Sequence, residues 1–64
     1  MELYINFKDG NNVKLQDEFD TENVVKCVQA MAYNQEKQAK VIVDTDKGRI
    51  ERESSDVAGL YIKF

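Results

Sequence analysis

Four carboxylates in the second half of the chain come closest to a pattern that could do chemistry. Asp44 and Asp46 lie two residues apart, as do Glu51 and Glu53, and alternate residues of a strand point to the same face. Oxygen ligands gathered on one face could hold Mg²⁺ or Ca²⁺. Basic residues are interleaved with all four and supply countercharge. We therefore predict a solvated hairpin with internal ion pairs, with no metal and no other cofactor.

The chain contains no histidine and a single cysteine, Cys27. Histidine is the commonest general base and the usual activator of a serine or cysteine nucleophile. One cysteine without histidine cannot build a disulfide within the chain or a structural zinc site. A chain of 64 residues also offers little scaffold for a deep substrate cleft. We predict a protein that is not an enzyme and that resides in the reducing cytoplasm.

Negative charge is concentrated in Asp17, Glu18, Asp20 and Glu22, with no basic residue among them. One interpretation is a strand end followed by a helix start, where the helix dipole favours acidic side chains. The other is an acidic patch that engages a protein partner with a basic surface. Such patches steer association and can stand in for the phosphates of a nucleic acid.

A second candidate surface is formed by Tyr4, Ile42 and Tyr61, which fall on the sheet face opposite the core residues of their own strands. Tyrosine is enriched at interfaces because it combines a large apolar area with a polar tip. These side chains are either isolated half-exposed residues or a binding surface for a partner. A homodimer is a further hypothesis, because a small domain gains most from additional burial.

The elements that position these residues follow from apolar spacing. Alternation of apolar and polar residues predicts two strands joined by a turn at 9–12, and a later hairpin that turns at 45–48. The preferred register of that hairpin pairs Asp44 with Arg49 and Val43 with Ile50. A last strand ends at Phe64 and repeats the pattern of the first, so the two terminal strands should lie side by side on one core.

Between the two hairpins, helical spacing predicts one helix over about 21–33. Asp20 is the expected N-cap, with Phe19 and Val24 as a hydrophobic staple. The inner stripe is Val24, Cys27, Val28 and Met31. The polar residues 34–40 either extend the helix or form a loop, and we favour a frayed helix end followed by a loop because the apolar stripe stops at Met31. Residues 1–64 should therefore form one small α+β domain of order β-β-α-β-β-β, with an antiparallel sheet packed on one helix.

Overall charge narrows the choice of partner. Nine Lys and Arg oppose twelve Asp and Glu, which gives a net charge of −3. A surface that binds nucleic acid normally gathers basic residues interleaved with aromatic ones, so the charge balance argues against that partner. No long apolar run is present, and we expect no membrane span.

Two stretches carry a resemblance over much of the chain. LYINFKDGNNVKL (3–15) resembles the opening hairpin of small proteins encoded by phages and integrative elements of Gram-positive bacteria. GRIERESSDVAGLYIKF (48–64) resembles their closing strands and is also similar to the last two strands of Sm-like and SH3-like barrels. The resemblance implies a mobile-element setting, in which small acidic proteins often bind and inhibit a host protein.

These observations lead to one hypothesis and two alternatives. The hypothesis is a non-enzymatic interaction module, in its most concrete form a phage or mobile-element inhibitor in the host cytoplasm that occludes a basic groove on a host protein. The alternatives are a small-barrel protein that binds nucleic acid and a structural subunit that assembles with copies of itself.

Overall fold

The computed structural model describes all residues, Met1–Phe64, as five strands, one α-helix and a 3₁₀ helix. In chain order these are β1 (Glu2–Phe7), β2 (Asn12–Lys14), α1 (Thr21–Lys37), β3 (Lys40–Thr45), β4 (Gly48–Glu53), the 3₁₀ helix (Ser54–Asp56) and β5 (Val57–Lys63). The predicted α+β class and order of elements are confirmed. The helix lacks the length and the apolar character needed to cross a membrane.

Strand β1 is central to the first sheet, whose order is β2-β1-β5. It pairs antiparallel with both neighbours, and Ile5 lies opposite Val13 on one side and Leu60 on the other. Its side chains alternate, so that Leu3, Ile5 and Phe7 are buried while the intervening residues are partly exposed. The prediction that the first and last strands lie side by side is confirmed.

The second sheet is the hairpin of β3 and β4, which has the predicted register of Asp44 with Arg49 and Val43 with Ile50. The pairing continues to Thr45 and Gly48, so the turn itself is shorter than the four residues expected. Gly48 adopts a φ of 108°, a conformation that glycine reaches without the penalty imposed by a Cβ.

The two sheets join through a single bridge between Leu15 and Thr45. Backbone hydrogen bonds flank it, from Gln16 N–H to Asp44 O at 3.0 Å and from Asp46 N–H to Lys14 O at 3.1 Å. The strands therefore follow the order β5-β1-β2-β3-β4 around the domain. The expected single sheet is split at this point because β2 is only three residues long.

The core consists mainly of the inner face of the first sheet. Its buried residues are Leu3, Ile5, Phe7, Leu15 and Val57, and Cys27 and Met31 of the helix pack against them. The expectation that Phe64 belongs to the core is wrong, since its side chain is 96% exposed. Strand pairing ends at Glu2 with Lys63, and no partner strand holds the next residue over the core.

The helix begins as predicted, because Asp20 is the N-cap and its Oδ1 accepts a hydrogen bond from Asn23 N–H at 2.8 Å. The predicted end at 33 is wrong, and α1 continues to Lys37. Polar contacts support the extra turn. Ser54 Oγ donates to Asn34 O at 3.1 Å, and Gln35 Nε2 donates to Ser54 O at 3.2 Å. The spacing of apolar residues cannot predict these polar contacts, so it does not predict the last turn of the helix.

The helix ends at Gln38, which has a left-handed φ of 56°. Because a side chain in this conformation costs about 1 kcal/mol, we expect Gln38→Gly to stabilise the domain by about 0.5–1 kcal/mol. Gln29→Gly, at an exposed position inside the same helix, should instead destabilise it by about 1 kcal/mol. Urea unfolding measures both, and a loss of stability in Gln38→Gly would contradict the assignment of the cap.

Candidate interaction surfaces

Two of the four hairpin carboxylates, Asp44 and Glu51, are engaged in ion pairs, whereas Asp46 and Glu53 are not. Arg49 Nε lies 2.9 Å from Asp44 Oδ1, and Lys40 Nζ lies 3.1 Å from Glu51 Oε1. Nowhere in the chain do three side chains of Asp, Glu, Cys or His come together as a metal-binding group. The hydrogen bond from Arg49 holds the pKa of Asp44 below its usual range. The hairpin is therefore a charged surface with internal pairing.

The acidic segment, residues 17–22, is only partly free. Asp20 caps the helix, and Glu22 pairs with Lys26 one turn later, at 3.3 Å. Asp17 and Glu18 are exposed and take part in no salt bridge of the chain. The sequence pattern grouped four acids, and the structure leaves these two fully available to a partner.

Most other charged side chains have an opposite charge nearby, either in a salt bridge or in the next residue of the chain. The remaining acids outside salt bridges are Glu36, Asp46 and Glu53, and the first two are each followed directly by a lysine. Asp17, Glu18 and Asp20 instead lie within four residues that contain no base. The excess negative charge of the molecule is thus concentrated at the acidic segment.

The tyrosine face is the outer surface of the first sheet, and we define it by Glu2, Tyr4, Lys14, Tyr61 and Lys63. Tyr4 lies directly opposite Tyr61, with ring centroids 5.7 Å apart and planes inclined by 50°. The hydroxyl of Tyr4 donates to Glu2 Oε1 at 3.2 Å. Tilted aromatic pairs of this kind are mutually stabilising, so the two rings form one exposed platform.

Glu2 controls the electrostatics of the tyrosine face. Its carboxylate lies 2.8 Å from Lys14 Nζ and 4.0 Å from Lys63 Nζ. The hydrogen bond from Lys14 lowers the pKa of Glu2, and the same contact raises the pKa of Lys14. The carboxylate therefore neutralises Lys14, with which it makes the short contact, and attracts Lys63 only at a longer distance. A phosphate would have to compete with Glu2 for Lys14.

This arrangement predicts how Glu2 titrates. We expect its carboxyl carbon, followed by NMR, to titrate below the ordinary value of about 4.3, and Lys14→Met to raise the midpoint. Because the folded pKa is the lower one, the contribution of Glu2 to stability is complete above the unfolded pKa. That contribution is lost as the pH falls through the pKa of Glu2 in the folded state. A midpoint at or above 4.3 in the parent protein would contradict the contact.

Ile42 does not join the two tyrosines. It lies in the second sheet, opposite Glu51, and its side chain is 59% exposed. Ile42 instead lines a cavity beneath the helix, together with Ala30 and Met31. The predicted group of Tyr4, Ile42 and Tyr61 therefore divides into an aromatic pair on one sheet and an aliphatic side chain on the other.

A cavity of about 140 Å³ lies between α1 and the two sheets. Its lining is Leu3, Ile5, Leu15, Cys27, Ala30, Met31, Asn34, Val41, Ile42, Val43 and Leu60. The cavity is open to solvent on one side, because the lining residues Ala30 and Ile42 are exposed. Its walls are therefore apolar surface that the fold leaves uncovered. The only sequence signal for the cavity is the small size of Cys27 and Ala30, one helical turn apart.

Cys27 lines this cavity, and its environment disfavours the thiolate. Partial burial and the nearby charge of Asp17 raise the pKa of the thiol. The thiolate is the nucleophilic form of cysteine, so the side chain stays protonated at neutral pH and behaves as a small apolar residue. The structure thus favours the interpretation of Cys27 as part of the core.

Comparisons of the chain with protein-family models, with curated proteins and with solved structures found no match.

Proposed function

We propose that this protein is a non-enzymatic interaction module that binds a protein partner with a basic surface through the acidic segment. One observation carries the proposal: the excess negative charge lies in that segment, while most other charges are paired within the chain. Unpaired surface charge of one sign accelerates association with a partner of opposite sign and selects against others.

The acidic segment is hydrogen bonded to Met1, which precedes the strand that carries Glu2 and Tyr4 of the tyrosine face. The backbone of Phe19 is hydrogen bonded to that of Met1 in both directions, at 3.0 and 3.2 Å. These hydrogen bonds place Glu18 beside the start of β1, the strand that carries Glu2 and Tyr4. A partner that covers the acidic segment can therefore also cover the two tyrosine rings, which would supply the apolar area of the interface.

In its finer form, the proposal is an accessory or inhibitor protein of a phage or mobile element. Asp17 and Glu18 are exposed carboxylates outside any salt bridge of the chain, and a basic groove that holds phosphates could accept such negative charges instead. Occlusion of that groove in a host enzyme that handles nucleic acid would be the mechanism. The resemblance of the two terminal stretches to proteins of mobile elements supports this setting.

The test compares two double charge reversals that change the net charge equally. Asp17→Lys with Glu18→Lys alters the acidic segment, and Glu36→Lys with Glu53→Lys alters exposed acids elsewhere. We expect a partner captured from the lysate of the encoding bacterium to bind the parent and the second variant with similar affinity. Binding to the first variant should weaken at least tenfold, and the parent's affinity should fall with added salt. Equal affinity of both variants would refute the proposal.

Nucleic-acid binding is the second candidate, and the tyrosine face is the observation that favours it. A pair of aromatic rings flanked by Lys14 and Lys63 has the parts of a platform for single-stranded nucleic acid. Glu2 opposes this function because its carboxylate is paired with Lys14 and lies within 4.0 Å of Lys63. We therefore expect no retardation of a single-stranded oligonucleotide at low salt, and retardation by the parent protein would favour this candidate.

The third candidate function is that of a structural subunit that assembles with copies of itself. Sedimentation over a concentration series tests it.

A further inference from the structure

We infer that the cavity between α1 and the two sheets is a binding site for a small monocyclic aromatic ligand. Its volume of about 140 Å³ is close to that of an engineered apolar cavity of about 150 Å³ that stays dry and binds benzene. The inference rests on the cavity alone and is independent of the proposed function at the acidic segment.

The lining explains why the ligand is apolar. Ten of the eleven lining residues are hydrophobic, and the floor consists of the fully buried Leu3 and Ile5. A buried water needs two to four polar partners, and these walls offer almost none. Water that enters the cavity is therefore held weakly, and an aromatic ring that displaces it would gain van der Waals contacts with the walls.

A path to the cavity exists beside the helix. Ala30 on α1 and Ile42 on β3 both line the cavity and are both exposed to solvent, so the opening lies between these two elements. Only Val24 of the whole helix is fully buried, which means that few buried contacts resist a small outward movement of α1. A ring can enter without unfolding the sheets.

Asn34 adds a polar group to this site. Its backbone oxygen accepts hydrogen bonds from Ser54 Oγ at 3.1 Å and from Ala39 N–H at 2.8 Å, so the protein uses the backbone of Asn34 and leaves its side-chain amide free. An amide can donate to or accept from a single hydroxyl group. The preferred class is therefore a benzene ring with one hydrogen-bonding substituent, of which phenol is the simplest member.

The probes for the test are benzene and phenol, titrated into the whole protein while its methyl groups are followed by NMR. We expect saturable shifts confined to methyl groups of the lining, with a dissociation constant on the order of 1 mM and phenol binding more tightly than benzene. Ala30→Leu should weaken binding at least tenfold because the larger side chain occupies the opening. Ala32→Leu, the same change at a helix position outside the lining, should bind like the parent.

Cys27 provides a second readout, because its thiol lines the cavity. Bound phenol should slow alkylation of Cys27 by iodoacetamide by a factor of one plus the ligand concentration divided by the dissociation constant. Cys27→Leu is a second filling variant, in case Ala30→Leu fails to fold. The inference is overturned if the methyl shifts do not saturate, if they lie outside the lining, or if a folded filling variant binds phenol as tightly as the parent.

Discussion

Ile5→Ala is expected to leave the protein largely unfolded at room temperature. Ile5 is fully buried at the centre of β1, between Val13 and Leu60 on the neighbouring strands. Truncation of a buried isoleucine to alanine costs about 2–5 kcal/mol. A core of this size supplies only about 3–5 kcal/mol in total, and the cavity has already reduced the packing around the site. The loss therefore approaches the whole free energy of unfolding.

Circular dichroism during urea titration measures this effect, and Ile42→Ala is the matched control. It makes the same chemical change on a side chain that is largely exposed, so its cost should stay below about 0.5 kcal/mol. Ile5→Val should fall between the two, at about 0.5–1.5 kcal/mol. If Ile5→Ala unfolded at the same urea concentration as Ile42→Ala, the position of the core would be wrong.

Arg52→Ala is expected to have the second largest effect, a loss of about 1–2 kcal/mol. The guanidinium carbon lies over the Phe7 ring, 4.2 Å from its centroid, and a cation–π contact of this kind is worth about 0.5–2 kcal/mol as burial increases. Its Nη2 lies 3.1 Å from Asp9 Oδ2, and its Nε lies 3.4 Å from Asp56 Oδ2. One side chain on β4 thus ties the first turn and the 3₁₀ helix to the second sheet.

Arg49→Ala is the matched control for this prediction. The Arg49 side chain is 72% exposed and makes one ion pair, whereas that of Arg52 is 27% exposed. Exposed ion pairs contribute little, so we expect Arg49→Ala to change stability by less than about 0.5 kcal/mol. Arg52→Lys keeps the charge but loses the guanidinium group that contacts Phe7, Asp9 and Asp56, and its stability should be intermediate. Equal effects of the two alanine variants in urea unfolding would contradict the role assigned to Arg52.

The elements that were predictable from sequence are those determined by neighbouring residues. Alternation in Leu3, Ile5 and Phe7 defines the buried face of β1, because one residue of slip would expose all three. The pairing of Asp44 with Arg49 follows from a turn only a few residues away. The helix start follows from Asp20 and the residues after it. Each of these features depends on interactions over short distances along the chain.

The features that sequence reasoning missed depend on residues far apart along the chain. The last turn of α1 is supported by Ser54, twenty residues beyond Asn34. Phe64 is apolar, yet it lies beyond the last paired residue of the sheet. Arg52 appeared to belong only to a charged hairpin, whereas it contacts Phe7 on another strand. None of these contacts leaves a periodic signal in the residues around it.

The candidate surfaces divide in the same way. The composition of the chain excludes catalysis by its own histidine side chains and a disulfide within the chain. The order of its residues locates the run of acids at 17–22. Which charges remain free depends on the tertiary structure, because several of the salt bridges join strands and turns that are distant in sequence. Glu2 contacts both Lys14 and Lys63 since three strands lie side by side, and the cavity exists because a helix with small residues at positions 27 and 30 spans two sheets. Local spacing determines strands and caps, whereas pairing and packing determine which side chains can meet a partner.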